Sequence, residues 1–154
     1  MSKRLEEILE QKQKQQEKSA IDREAVRQEW ISNCSKVMLR VTEWLKPLEN
    51  KNYLKIQSET ISIREEQLGE YEAPALRLVF VKSQILTVRP VGRFILGAQG
   101  RVDMASGSTL LVMLIHKGND EWEFARREGR YGERRTWPFN RDTFEEFLAE
   151  FLEE

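Results

Sequence analysis

Hydrophobic and polar residues alternate in short runs through the middle of the chain, and one run breaks that alternation. Residues 109–115 read Thr-Leu-Leu-Val-Met-Leu-Ile, so both sets of alternating positions are apolar. A strand of this composition is typical of the middle of a sheet whose two faces are both covered. We therefore expect this run to be the central strand, with further strands beside it and helices over it.

Two other segments repeat apolar residues at the helical spacing of three or four. The first begins after Ser19, a candidate N-cap followed by Asp22, and is expected to end near Pro47. Its stripe consists of Val26, Trp30, Cys34, Val37, Val41, Trp44 and Leu48. The second segment, residues 141–152, follows the candidate cap Asn140. Its stripe consists of Phe144, Phe147, Leu148, Phe151 and Leu152. Both stripes predict amphipathic helices that pack on the sheet.

Alternating patterns predict several short strands between these helices. Residues 54–56 and 61–63 are expected to form two strands joined by a turn at Ser58 and Glu59, with a polar loop at residues 67–74. Further strands are expected at residues 75–81, 84–89, 93–96, 101–104, 121–126 and 136–139, with a hairpin turn at residues 97–100. Since no helical crossovers separate them, the strands should form an antiparallel meander.

The predicted fold is therefore α+β, with a long N-terminal helix, an antiparallel meander sheet of about six or seven strands, and a C-terminal amphipathic helix packed on the sheet. A chain of 154 residues with 40% hydrophobic content can bury one core, so residues 19–154 are expected to be a single domain. Residues 1–18 are expected to be a separate, charged helical arm.

The arm carries only a short apolar stripe, formed by Leu5, Ile8 and Leu9, and residues 11–18 contain no apolar side chain. Two interpretations stay open. The arm is a solvated segment that frays by itself, or the three side chains dock into a partner protein or a second copy of the chain.

The chain has one cysteine, Cys34, which cannot form an intrachain disulfide, and residues 1–18 are polar where a signal peptide would be apolar. These features predict a cytoplasmic protein. A formal net charge of -1 gives no general attraction to nucleic acid or to a membrane, and no membrane partner is expected.

The inventory of reactive side chains is small. His116 is the only histidine, and with Cys34 it cannot complete the tetrahedral shell of zinc, so no metal, cofactor or catalytic residue is expected. An enzyme that uses the carboxylates Asp103, Glu121 and Glu123 is the least favoured hypothesis, because Glu at alternate positions is typical of the solvent face of a strand.

Arginine and aromatic residues concentrate between positions 126 and 137. The cluster consists of Arg126, Arg127, Arg130, Tyr131, Arg134, Arg135 and Trp137. Guanidinium groups bind phosphates and aromatic rings stack on bases, so this composition suits single-stranded nucleic acid or an acidic protein surface. The alternative is a solvated hairpin whose arginines pair with the acidic C-terminal helix.

These observations favour a non-enzymatic protein-binding module, either an accessory or adaptor subunit or an immunity-type inhibitor that acts by binding a partner. Nucleic-acid binding through residues 126–137 is the alternative.

Overall fold

A computed structural model describes residues 3–93, 100–129 and 132–153. The elements are α1 (Lys3–Asn50), β1 (Leu54–Glu65), β2 (Gly69–Phe80), a short 3-10 turn (Val81–Ser83), β3 (Ile85–Gly92), β4 (Arg101–Ser106), β5 (Thr109–Gly118), β6 (Glu121–Arg127), β7 (Arg134–Pro138) and α2 (Arg141–Glu153). The predicted α+β class with a long first helix and a short last helix is confirmed.

The seven strands lie in the sheet in chain order, from β1 at one edge to β7 at the other, and every neighbouring pair is antiparallel. The predicted meander is therefore confirmed. Side chains that the register aligns across the strands form the buried face of the sheet. They include Leu78, Leu86, Val88, Val102, Met104, Val112, Leu114 and Phe124.

Both helices pack on this one face. From α1, Trp30 is fully buried and its ring stacks on that of Trp122 at a centroid distance of 5.9 Å. From α2, Phe147 contacts the ring of Phe124 at 5.1 Å. The N-terminus of α2 is capped as predicted, because the side-chain oxygen of Asn140 accepts the N–H of Thr143 at 2.9 Å.

The prediction that the first helix begins at Ser19 is wrong. α1 is one helix of 48 residues, and Ser19 lies inside it. The residues before Ser19 are mostly Glu, Gln and Lys, which are strong helix formers, and Glu10 and Lys14 form an ion pair one turn apart at 3.6 Å. Pro47 is accommodated inside the last turn, and the helix ends at Asn50.

The predicted turn at Ser58 and Glu59 is wrong, and the predicted loop at residues 67–74 is correct only for Gln67 and Leu68, which lie in the turn between β1 and β2. β1 and β2 are 12-residue strands that pair over their whole length. In β2 the buried positions change from odd numbers, up to Ala75, to even numbers from Leu76 onward, while the pairing stays in register. The two halves of this hairpin thus bury opposite faces, and the same phase change in β1 produced the pattern of a turn.

β3 continues through Pro90 to Gly92, where the sequence predicted an interruption. A register shift against β4 between these two residues absorbs the missing N–H of the proline. The predicted strand at residues 93–96 and the predicted hairpin turn at 97–100 lie outside the described residues, apart from Arg93 and Gly100.

β5 is the fifth of the seven strands in the described part of the chain, and the predicted coverage of its two faces is confirmed for one face and holds only in part for the other. Val112, Leu114 and His116 face the helices and are buried. On the opposite side Ile115 is buried and Met113 is half-buried. The physical reason is that α1 and α2 lie over the same face of the sheet.

Candidate functional site

The first half of α1 stands clear of the domain. Every residue from 3 to 25 is exposed, and we call this segment the arm. Contact with the domain begins at Val26, which is half-buried, and at Arg27, whose side chain donates to the carbonyl oxygen of Leu68 at 3.2 Å. At 1.5 Å per residue, the arm extends for about 34 Å.

Leu5, Ile8 and Leu9 are 47%, 41% and 54% exposed, at the far end of the arm from the domain. Ile8 precedes Val26 by 18 residues, which is about five helical turns at 3.6 residues per turn. The apolar patch of the arm therefore lies on the same side of α1 as the stripe that packs on the sheet. Ile21, which is 69% exposed, lies about two and a half turns before Trp30 and so faces the opposite way.

Where the arm leaves the domain, it forms a shallow groove with the turn between β1 and β2. Asp22, Arg23, Val26, Gln67 and Leu68 line this groove, which has a volume of about 280 Å³. Because the apolar patch faces the same side of α1, a protein bound beneath the arm would also meet this turn.

The structure divides the arginine and aromatic cluster between two faces of the sheet. In the register of β6 and β7, Arg126 lies opposite Arg135. Both side chains are on the side of the sheet that carries the helices, as is Trp137. Arg127 lies opposite Arg134 in the same register, on the other side of the sheet, which neither helix covers and which we call the open side. The predicted contacts Arg130 and Tyr131 lie outside the described residues.

Arg126 is held within the protein. Its guanidinium donates two hydrogen bonds to the carboxylate of Glu150 in α2, at 2.6 and 3.3 Å, and these bonds raise its pKa above the usual value. The same group lies 5.7 Å from the ring centre of Trp137 and 5.1 Å from that of Phe147. For Arg126, these contacts support the interpretation that the cluster pairs with the C-terminal helix.

Arg127 and Arg134 differ from Arg126. Both are exposed, they lie directly opposite each other, and neither forms an ion pair within the described part of the chain. Like charges in this position repel each other, which makes this pair the more suitable anion contact of the cluster. Arg135 is 3.6 Å from the carboxylate of Glu128.

A second groove, of about 610 Å³, lies beside the ion pair of Arg126 and Glu150. Ile85, Leu110, Leu111 and Phe151 supply its apolar lining. Sequence patterns did not indicate this groove, because it forms where the end of α2 meets the ends of β3, β4 and β5. The only signal was a leucine at position 110 that extends the apolar run beyond the buried part of β5.

The side chains best suited to acid-base or nucleophilic chemistry are buried. His116 is 4% exposed, and its Nε2 lies 2.7 Å from the carbonyl oxygen of Asn119. Burial raises the pKa of the Cys34 thiol far above its usual value, which disfavours the reactive thiolate.

The candidate carboxylates of the sheet have structural partners. Asp103 binds the side chain of Arg101 at 2.7 Å, and Glu123 lies 3.5 Å from the ammonium group of Lys117. Glu121, at the start of β6, lies on a shallow surface depression next to Trp122 and Glu123. In the described ranges, no three His, Cys, Asp or Glu side chains gather into a potential metal site.

None of the helices in the described ranges is long and apolar enough to cross a membrane. Comparisons with known protein families, with curated proteins and with solved structures find no match to this chain.

Proposed function

We propose that the protein is a non-enzymatic protein-binding module, an adaptor subunit or an immunity-type inhibitor, whose arm docks on a partner protein through Leu5, Ile8 and Leu9. The observation that carries the proposal is the exposure of these three side chains on a helix whose other half is anchored in the core. A rigid anchor makes the arm a preorganised ligand, because little of the helix has to be ordered when the partner binds.

The apolar patch has the form that grooves on partner proteins recognise. Residues spaced by three and four along a helix present one continuous face, and such faces insert into hydrophobic grooves. The polar remainder of the arm, residues 10–20, keeps the patch away from the domain. The burial of His116 and Cys34 further supports a binding role over a catalytic one.

The experiment compares three forms of the full chain as bait in the native cell extract, with quantitative mass spectrometry of the proteins retained. The first is the natural sequence, the second carries Leu5→Gln, Ile8→Gln and Leu9→Gln, and the third carries Ile21→Gln. Glutamine preserves helix propensity and removes the apolar surface. Ile21 is the matched control because it is exposed on the opposite side of the same helix.

We expect a defined partner to be retained by the natural chain and by Ile21→Gln, and to be lost from the triple variant. Equal retention by all three forms would contradict the proposal. Light scattering on the purified chain separates a foreign partner from self-association, since only self-association through the patch makes the triple variant smaller in solution.

The pair of Arg127 and Arg134 favours a second candidate, binding of single-stranded nucleic acid on the open side of the sheet. This candidate predicts that affinity for oligothymidine falls steeply with salt, and that Arg127→Ala with Arg134→Ala abolishes it. Arg135→Ala is the control, because Arg135 lies on the helix side. Affinity that is unchanged in the double variant would exclude this pair as the site.

A further inference from the structure

The two edges of the sheet are built differently. β7 has five residues, of which Arg134 and Arg135 are charged and Pro138 lacks an N–H group. Short edges with charges and proline are the usual protection against pairing with another chain. β1, by contrast, has 12 residues and, within the described ranges, pairs with β2 alone.

The outward-pointing N–H groups of β1 can be identified from one contact. The N–H of Ile56 donates to the side-chain carboxylate of Glu49 at 2.8 Å, so it points away from β2. In an antiparallel ladder the direction alternates from residue to residue, so the N–H groups of Ser58, Thr60 and Ser62 point the same way. Nothing in the described part of the chain accepts these three.

The middle of this edge is open from above and below as well. Four consecutive residues, 57–60, are exposed, because the buried face of β1 changes sides at this point. An approaching strand can therefore reach residues 57–60 without displacing a buried side chain. The side chain of Glu49 closes the ladder at Ile56, which limits the free stretch to residues from Gln57 onward.

We propose that residues 57–63 of β1 pair antiparallel with the same residues of a second copy, with the two-fold axis at Thr60. In this register Thr60 lies opposite Thr60, and Ser58 lies opposite Ser62, so every hydrogen-bonded pair brings two hydroxyl side chains together. Hydroxyl pairs of this kind are favourable across antiparallel strands. The segment matches itself because its alternating positions read Ser, Thr, Ser in either direction.

The proposed pairing would join the two sheets into one continuous sheet, with a symmetric interface of the commonest kind among oligomers. It involves a surface different from the arm and does not depend on the function proposed above. The arm variants therefore leave this dimer unchanged, and variants of Thr60 leave retention by the arm unchanged.

Sedimentation velocity from micromolar to millimolar concentration tests the proposal, with three substitutions at Thr60. Thr60→Pro removes the outward N–H without removing a bond to β2, and Thr60→Lys brings two like charges together on the axis. Thr60→Val retains the N–H and the size of the side chain. We expect Thr60→Pro and Thr60→Lys to raise the dissociation constant of the dimer by about tenfold or more, and Thr60→Val to leave it unchanged.

Cross-linking tests the register. Residues of a hydrogen-bonded pair have Cα atoms about 5.5 Å apart, which is within the range that a disulfide spans. We expect Thr60→Cys to form a disulfide-linked dimer by itself, and Ser58→Cys to do so only when mixed with Ser62→Cys. Cys34 is buried and is present in every sample, so any cross-linking through it contributes equally to all of them.

A chain that stays monomeric at all concentrations overturns the proposal. So does a dimer that neither Thr60→Pro nor Thr60→Lys weakens, provided that circular dichroism shows both variants to be folded.

Discussion

Both halves of α1 carry apolar side chains on the same side of the helix, but only those of the second half are buried. In the second half, Trp30, Val37 and Val41 are buried against the sheet. In the first half, Leu5, Ile8 and Leu9 lie on the same side of the helix and remain exposed. The comparison teaches that helical periodicity shows which side of a helix is apolar, whereas the length of the sheet decides how much of that side is covered.

The strongest test of this contrast replaces one large side chain in each half. Trp30→Ala removes a fully buried ring that stacks on Trp122, and we expect it to lower the free energy of unfolding by about 3–5 kcal/mol. Leu9→Ala should change that free energy by less than about 0.5 kcal/mol, because the side chain is 54% exposed at the far end of the arm from the domain. Urea denaturation measures both values, and a comparable loss in the two variants would show that the arm packs on the domain.

A methyl group added at Gly100, the residue before β4, tests the packing of Trp30 from the side of the sheet. A Cβ atom at Gly100 would lie 2.3 Å from a ring carbon of Trp30, which the contact with Trp122 prevents from moving away. We expect Gly100→Ala to destabilise the fold by about 1–3 kcal/mol. Gly107→Ala is the control for a Cβ placed at a positive φ, because Gly107 has a φ of +60° and a Cβ there meets no atom within 4 Å. The thermal midpoints of the two variants should differ, and equal midpoints would contradict the close approach of Gly100 to Trp30.

We expect that a proline substitution in α1 unfolds the arm and leaves the domain folded. Ser19→Pro places a residue that costs about 3 kcal/mol in a helix interior within the first half of α1, and residues 3–18, which have no domain to pack on, are then at the margin of helix stability in water. We expect the variant to lose about a quarter of its helical circular dichroism, the share of residues 3–18 in α1 and α2. The melting midpoint should match that of the control Ser19→Ala. A lower midpoint in the proline variant alone would mean that the arm stabilises the domain.

Much of the fold could be predicted from the sequence, because periodicity reports burial. The apolar stripe from Trp30 to Leu48 and the stripe of α2 predicted the two packed helices. The alternation of apolar and polar residues predicted the antiparallel sheet. The predicted boundaries that were wrong lie where the pattern of burial changes but the secondary structure continues. A phase change in β1 and β2 resembles a turn, and the helix-forming residues before Ser19 continue a helix that has nothing to pack on, so local patterns misplaced these boundaries.

The candidate site was less predictable. Residues 126–137 form one cluster in the sequence, yet consecutive residues of a strand point to opposite faces, so Arg126 and Arg127 lie on different surfaces. Alternation alone could have indicated this division. The pairing of Arg126 with Glu150 could not be assigned from the sequence, because it depends on the position of α2 over the sheet.

The C-terminal end of the anchored half gives the smallest expected effect, and it depends on pH. Glu49 accepts the N–H of Ile56, and this bond, with a further contribution from Lys46, holds its pKa below the usual value. A carboxylate with a lowered pKa in the folded state stabilises the fold at neutral pH, and that contribution is lost as the pH falls through the folded-state pKa. Glu49→Gln should therefore lower the melting midpoint slightly at pH 7, and the difference from the natural chain should shrink below about pH 4. Glu43→Gln, the same change at an exposed position of α1, is the control for altered net charge. A difference that stays constant from neutral to acidic pH would show that the charge of Glu49 does not contribute to holding the start of β1 against the end of α1.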